Sequence, residues 1–323
     1  MSLRRLGRTD LSIEPLILGG NVFGWTLDEA TGFRVLDAYA DAGFTAIDTS
    51  DSYGKGKSET IIGNWMKARG KRGRMLVFTK VGSDMGQGHR DLSAKWIESE
   101  VEQSLKRLQT DVIDLYYIHR VDSTVPIEDT VGAMARLVAD GKVRHLGISE
   151  AAPATLRRAH AAHPMAALQT EYSLWTREAE QELLDVCAEL GIGYVAYSPL
   201  GRGFLTGTVG SADELGANDR RRAMPRFQGE NFRRNAALLG TLQELAAKEG
   251  CTPAQLALAW VLSRRDFIVA LPGTKQRRWL EENAVAAELA PSAATLAALD
   301  AAFRPDAVAG ARYPAAMLRR VGL

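Results

Sequence analysis

Eight short apolar runs, each followed by a turn and then by a segment of helical periodicity, constrain this 323-residue chain more than any other feature. The runs are Pro15–Leu18, Thr45–Ile47, Met75–Lys80, Val112–His119, Val143–Ser149, Met165–Thr170, Gly193–Ser198 and Phe267–Leu271. Strand-length runs alternating with helix-length segments point to a parallel sheet, because each helix returns the chain to the same end of its neighbouring strand. Eight such units indicate an α/β fold, a single (β/α)8 TIM barrel over residues 1–323, rather than a doubly wound sheet. The opening segment, Leu3 to Ile13, reads as an N-terminal hairpin turning at Thr9-Asp10.

The helices between the runs carry their own signals. The first has a capping box from Thr26 to Glu29, an apolar face of Phe33, Leu36 and Ala40, and Gly43 at its stop. Ser58 and Glu59 open the second, and Ile97, Val101, Leu105 and Leu108 stripe the third, which starts near Ser93. Helices follow over Ile127–Asp140, Pro153–Ala162, Ala179–Leu190, Phe232–Lys248, Pro253–Ser263 and Arg278–Glu288. A long loop after strand 7, Gly201 to about Glu230, breaks the rhythm; loops of that size are usually functional or disordered. Its basic run Arg220 to Arg226 reads either as a solvated surface or as a lid reaching toward a phosphate.

Forty basic against thirty-nine acidic side chains give a net charge of +1, which draws the molecule toward neither nucleic acid nor an anionic membrane. No apolar run approaches the roughly 18 residues of a membrane helix, so a cytoplasmic protein is expected. Cys187 and Cys251 lack metal-ligand spacing, and His89, His145, His160 and His163 lack a setting that suggests chemistry, so no metal site is expected. Oligomeric state is left open, a homo-oligomer included.

Three successive strands end in proton-handling groups: Asp48 with Tyr53 in the loop beyond it, Lys80, and His119. On a parallel barrel such strand ends share one face, where barrel enzymes carry out their chemistry. A phenol has an ordinary pKa of about 10 and needs a cationic neighbour to release its proton near neutrality. Lys80 supplies that charge, Asp48 holds Lys80 oriented, and His119 donates a hydrogen bond to a carbonyl oxygen. Trp25, Tyr53, His119 and Trp175 are the candidate substrate-lining residues, each tryptophan reading equally well as packing under a loop.

With these residues in view the chain resembles the aldo-keto reductase family. The resemblance rests on Gly43-Phe-Thr-Ala-Ile-Asp48-Thr with Tyr53-Gly54 and Ser58-Glu59, on Lys80, and on His119 after Leu115-Tyr-Tyr-Ile. It continues through Gln169 with Tyr172-Ser-Leu, Tyr197-Ser198-Pro-Leu-Gly-Arg-Gly-Phe-Leu-Thr-Gly207, and Pro272-Gly273-Thr274-Lys275 with Leu280-Glu-Glu282-Asn283. The resemblance implies NADPH (NADP+) as cofactor, a small-molecule carbonyl as substrate, and Asp48, Tyr53, Lys80 and His119 as the catalytic tetrad. It places Ser149 and Gln169 at the nicotinamide carboxamide and Tyr197 under the ring. Ser198, Leu200, Gly201 and Arg202 fall near the pyrophosphate, Gly273, Thr274 and Lys275 near the 2′-phosphate, and Glu282 with Asn283 at adenine.

Two positions depart from the family pattern. Glu150 stands where many members carry asparagine, and Trp279 where some carry arginine, leaving Lys275, Gln276 and Arg278 for any 2′-phosphate contact. Two further functions stay open: a cofactor-binding regulatory protein resembling potassium-channel beta subunits, and a biosynthetic reductase of a nucleotide-linked keto-sugar.

Overall fold

The computed structural model describes residues 2–86 and 88–323. Eight parallel strands form one sheet: β3 (Leu18–Gly19), β4 (Ala46–Asp48), β5 (Leu76–Val81), β6 (Ile113–Ile118), β7 (Val143–Ser149), β8 (Met165–Glu171), β9 (Gly193–Tyr197) and β10 (Ile268–Leu271). Each pairs with its sequence neighbours, and bridges Leu16 to Ala270 and Gly19 to Gly273 bring the first strand against the last. The first apolar run, Pro15–Leu18, thus contributes more to closure than to the ladder: Ile17 N–H donates to Ala270 O and Ala270 N–H to Pro15 O.

Side-chain alternation sorts the strands into two faces. Ala46, Phe78, Leu115, Tyr117, Ala167, Val195 and Val269 point inward and form a barrel-interior cluster, whereas Ile47, Val77, Tyr116, Ile118 and Leu168 pack outward against helices. The antiparallel hairpin β1 (Arg4–Arg5) and β2 (Ser12–Ile13) plugs the N-terminal end, adding Leu6, Leu11 and Ile13 to the interior cluster. Gly147 is required there: a Cβ would lie 2.5 Å from the Tyr117 ring on the adjacent strand.

Around the sheet run α1 (Glu29–Asp41), α2 (Lys57–Arg69), α3 (Ala94–Leu108), α4 (Ile127–Ala139), α5 (Pro153–Ala162), α6 (Leu183–Leu190), α7 (Gly229–Lys248), α8 (Pro253–Ser263) and α9 (Arg277–Val285). The chain ends with α10 (Ala293–Ala302) and α11 (Ala315–Leu318), which no sequence signal above announced. Two helix expectations need correction. The cap of α1 is Asp28, whose carboxylate accepts from Thr31 N–H, in place of the Thr26 to Glu29 box. The segment Ala179–Leu190 divides into a short 3-10 turn, Glu178–Glu180, and α6. A full capping box does occur, but at Thr252 and Gln255 of α8, just ahead of its proline-initiated first turn.

Candidate active site

Two-residue periodicity carries the inward interior layer up to the C-terminal rim. Asp48 follows Ala46, Lys80 follows Phe78, His119 follows Tyr117, Ser149 follows Gly147, Gln169 and Glu171 follow Ala167, and Tyr197 follows Val195. The ladder sets Ser149 opposite Gln169 and Glu171 opposite Tyr197, so neighbouring strands bring their last inward side chains together at this rim.

Four of them meet. Lys80 Nζ donates to Asp48 Oδ1, to Thr49 O at 2.7 Å and to the Tyr53 hydroxyl at 3.4 Å. Gln169 Nε2 donates to the other Asp48 oxygen at 2.8 Å. Asp48 and Lys80 are sealed from solvent, His119 nearly so, and Tyr53 remains partly accessible. Burial works against the Lys80 charge, yet Asp48 and then Tyr53 outweigh it and hold the ammonium above the usual lysine range. The Tyr53 and His119 rings meet edge to face, 5.7 Å between centroids. Burial, then Arg120, Lys80 and Arg90, push His119 well below its ordinary pKa, so its imidazole is neutral.

The loop from Thr49 to Ser58 is held by its own polar groups. Thr49 Oγ1 and Ser58 Oγ lie 2.7 Å apart, and Ser58 donates to Gly20 O at 2.8 Å, which ties the loop to the segment after β3. Glu59 accepts from Thr79 and from Arg107 of α3, each at 2.6 Å. The Ser58-Glu59 pair therefore clamps the loop that carries Tyr53. Ser50 Oγ sits 3.0 Å from His119 Nδ1 and 2.9 Å from Asp51 Oδ1. The buried Asp51 carboxyl is pushed up to about 8 by burial and then by Glu59, with the Ser50 hydrogen bond opposing.

The remaining expected residues distribute around this centre. Ser149 Oγ accepts from Arg120 Nη1 at 2.9 Å, which leaves the serine proton free to donate. The Tyr197 hydroxyl donates to Glu150 at 2.7 Å and lies 2.9 Å from the Tyr313 hydroxyl, with its ring partly accessible. Ser198, Gly201, Arg202 and Gly203 all have positive φ, which is uncommon for the two of them that are not glycine. Backbone strain of this kind gathers at ligand sites. The Arg202 side chain, expected near the pyrophosphate, is turned inward as a forked pair with Glu171 at 3.1 and 2.7 Å. Leu200 opens this turn, which Gly201 N–H to Ser198 O at 2.9 Å and Gly203 N–H to Leu200 O at 3.0 Å hold closed.

At the β10 end, Gly273 and Lys275 are exposed and Thr274 is buried. Asn283 Nδ2 donates to Thr274 Oγ1 at 3.4 Å, and Glu282 accepts from Thr252 Oγ1 at 2.6 Å, leaving its second oxygen. The Arg278 guanidinium stacks 4.3 Å over Trp279 on the exposed face of α9.

Trp175 requires a correction. It is 1% exposed, stacks on Phe204 at 4.1 Å and meets Phe227 edge-on, so it anchors the long insertion from below instead of lining an open mouth. Gly201 passes so close that a Cβ would lie 2.4 Å from the Trp175 nitrogen. The insertion is consequently folded, with 3-10 turns at Arg220–Ala223 and Pro225–Phe227, while Arg220 and Arg222 stay exposed at its surface. Arg221 pairs with Asp219, Arg222 donates to Ala212 O and Leu215 O, and buried Arg226 donates to Thr176. Arg220 alone of the four reaches outward, 4.9 Å over the exposed Trp25 ring.

Glu150 is likewise buried, with φ of 54°, and grips Arg312 through two hydrogen bonds of 2.9 and 2.7 Å. Burial alone would raise its carboxyl, but Arg312, then Arg120 and Tyr197, hold it below the usual glutamate range. Arg120, Asp51 and Glu171 are neighbours of the site to which the sequence gave no role. Glu171 had a findable signal, since it stands two residues beyond Gln169 on an inward face; Arg120 lies one residue beyond His119.

Residues 15–304 match the aldo/keto reductase family. A probable aldo-keto reductase from Glycine max is 43% identical over 291 residues, covering 89% of this chain and 83% of that protein. A glycerol dehydrogenase from Gluconobacter oxydans superposes with a TM-score of 0.86 at 28% identity, over 94% of this chain and 96% of the other. A thermostable aldo-keto reductase solved with the inhibitor epalrestat gives 0.75 at 30% identity, over 94% of this chain and all of that one.

Proposed function

The chain belongs to the aldo/keto reductase family, whose members are NAD(P)H-dependent oxidoreductases of carbonyl and alcohol groups, and on that premise we propose a reductase in which Tyr53 is the proton donor. The observation that carries this reading is the contact of the Tyr53 hydroxyl with a sealed, charged Lys80 that Asp48 holds in place.

The donor set suits a nicotinamide dinucleotide. Ser149 has a free hydroxyl proton beside the accessible Tyr197 ring, which serves as the stacking surface. Gln169 is fixed through its amide nitrogen to Asp48, and its carbonyl oxygen remains to accept from a carboxamide. The left-handed positions Ser198, Gly201, Arg202 and Gly203 shape a tight turn suited to lie along a pyrophosphate. Lys275 and Arg278 are exposed cations beside the N-terminus of α9, which favours NADPH over NADH.

When bound, the nicotinamide supplies hydride to the carbonyl carbon. Tyr53 gives its proton to the carbonyl oxygen, and Lys80 stabilises the phenolate left behind. Asp48 keeps the ammonium at that phenol and is itself fixed by Gln169. His119, neutral at working pH, orients the carbonyl oxygen by a hydrogen bond from Nε2–H. Ser50 Oγ, 3.0 Å from His119 Nδ1, is the group placed to set that tautomer.

A panel of aldehydes, ketones, dicarbonyls and sugar-derived ketones, followed by loss of NADPH or NADH absorbance, tests the reading. Steady turnover with NADPH is expected, faster than with NADH. Tight cofactor binding with no turnover of any carbonyl would favour a cofactor-binding regulatory protein instead. No described helix is long and apolar enough to cross a membrane.

A further inference from the structure

Three arginines gather at one side of the site: Arg120 after β6, Arg90 from the segment after β5, and Arg320 from the C-terminal tail. Arg90 donates to Val121 O at 2.8 Å and to Arg320 O at 3.1 Å, which joins the three segments. Among the described residues no carboxylate lies within 4 Å of any of the three guanidinium groups, although Asp122 is near enough to act on Arg90. The neighbouring carboxylates are held by other arginines, Glu150 by Arg312 and Glu171 by Arg202. None of the three guanidinium groups therefore has a paired carboxylate of its own beside the catalytic groups.

Arg120 is the closest of the three to those groups. Its Nη1 donates to His119 O at 2.6 Å and to Ser149 Oγ at 2.9 Å. Its Nη2 and Nε have no acceptor among the described residues and are not sealed from solvent. Burial opposes its charge, but Tyr197, Glu150, Tyr313 and Tyr53 surround it and hold it above the usual arginine range. A fixed guanidinium with one free donor edge matches the two oxygens of a carboxylate.

We propose that Arg120 is the anion-binding group of the substrate pocket and that the carbonyl substrate carries a carboxylate a short chain away from its carbonyl carbon. This rests on the reductase reading above. His119 would read the carbonyl oxygen and Arg120 the carboxylate, two consecutive residues fixing both ends of a small acid. Arg90 and Arg320 lie further out and draw the anion toward the mouth.

The test compares succinate semialdehyde with butanal, its neutral counterpart, as NADPH-dependent substrates of wild type, Arg120→Gln and Arg120→Lys. Wild type is expected to favour the acid by at least about 10-fold in kcat/KM, and Arg120→Gln to lower that preference by about 10- to 100-fold, mainly through KM. Arg120→Lys should restore part of it. Calorimetry with butanoate and the NADP+-bound protein adds a readout independent of turnover, binding being expected in wild type and lost in Arg120→Gln. An unchanged ratio between the two substrates, or equal butanoate binding by both proteins, would overturn the assignment. If no carbonyl is turned over, the reductase reading fails, and butanoate binding alone then decides the role of Arg120.

Discussion

The Lys80 ammonium stands 3.4 Å from the Tyr53 hydroxyl and 4.9 Å from the centre of its ring, while its other hydrogen bonds go to Asp48 and Thr49 O. The cation is wholly committed to a phenol, a carboxylate and a carbonyl. Lys80→Met is therefore expected to lower kcat by about 10²- to 10⁴-fold. It should also cost about 3–5 kcal/mol of stability, because Asp48 is left buried without its partner. Single-turnover rates and urea unfolding read the two effects separately. Unimpaired kcat in a folded variant would contradict the role given to Lys80.

Asp51 gives the pH dependence of stability its sign. Glu59 and Glu100 raise its carboxyl along with burial, and Ser50 and the Ser52 N–H oppose; buried Tyr116 lies close enough to feel its charge. An acid whose folded pKa is raised to about 8 keeps a proton that the unfolded chain releases in the ordinary carboxylate range. Stability accordingly falls as pH rises between about 4 and 8. Asp51→Asn should remove that loss, so the gap in Tm between variant and wild type widens from about pH 5 to pH 8. A constant gap would contradict the raised carboxyl.

Glu150 has the opposite sign. Its folded pKa is depressed, so its contribution is complete above the ordinary glutamate range and is lost as pH falls through the folded value. Glu150→Gln leaves Arg312 without its partner and is expected to destabilise by about 3 kcal/mol near neutrality. The difference from wild type should shrink below about pH 4. Hydrogen exchange in the 312–323 tail is the direct readout, because Gly322 N–H donates to Glu150 O and the tail closes over that residue.

Arg220 over Trp25 joins the insertion after β9 to the loop after β3 across the rim. An exposed contact of this type is worth about 0.5–1 kcal/mol. Arg220→Ala is expected to speed release of bound NADPH by about two- to five-fold, measured by stopped-flow fluorescence. No change in the release rate would mean that the pair does not restrain the cofactor.

Much of this was legible in the sequence because barrels obey simple periodicities. The strand ends carrying Asp48, Lys80 and His119 stood out as polar breaks in apolar runs, and two-residue alternation sends all three inward. What stayed hidden depends on contacts distant along the chain. Trp175 reads as a pocket residue until Phe204 and Phe227 are seen to enclose it. Glu150 reads as a donor lost from the carboxamide site until Arg312, 162 residues away, is found in its grip. The internal order of the insertion stayed hidden because its arginines bond backbone carbonyls and local carboxylates, partners that leave no mark in composition.

The central claim is that Tyr53 delivers the proton. Enzyme preloaded with NADPH and mixed with an aldehyde that wild type reduces gives the rate of one turnover, and cofactor fluorescence gives the binding constant in the same preparation. Tyr53→Phe is expected to bind NADPH about as tightly as wild type and to lose turnover by at least about 10²-fold. Turnover by Tyr53→Phe at the wild-type rate would contradict the account and move the proton donor elsewhere.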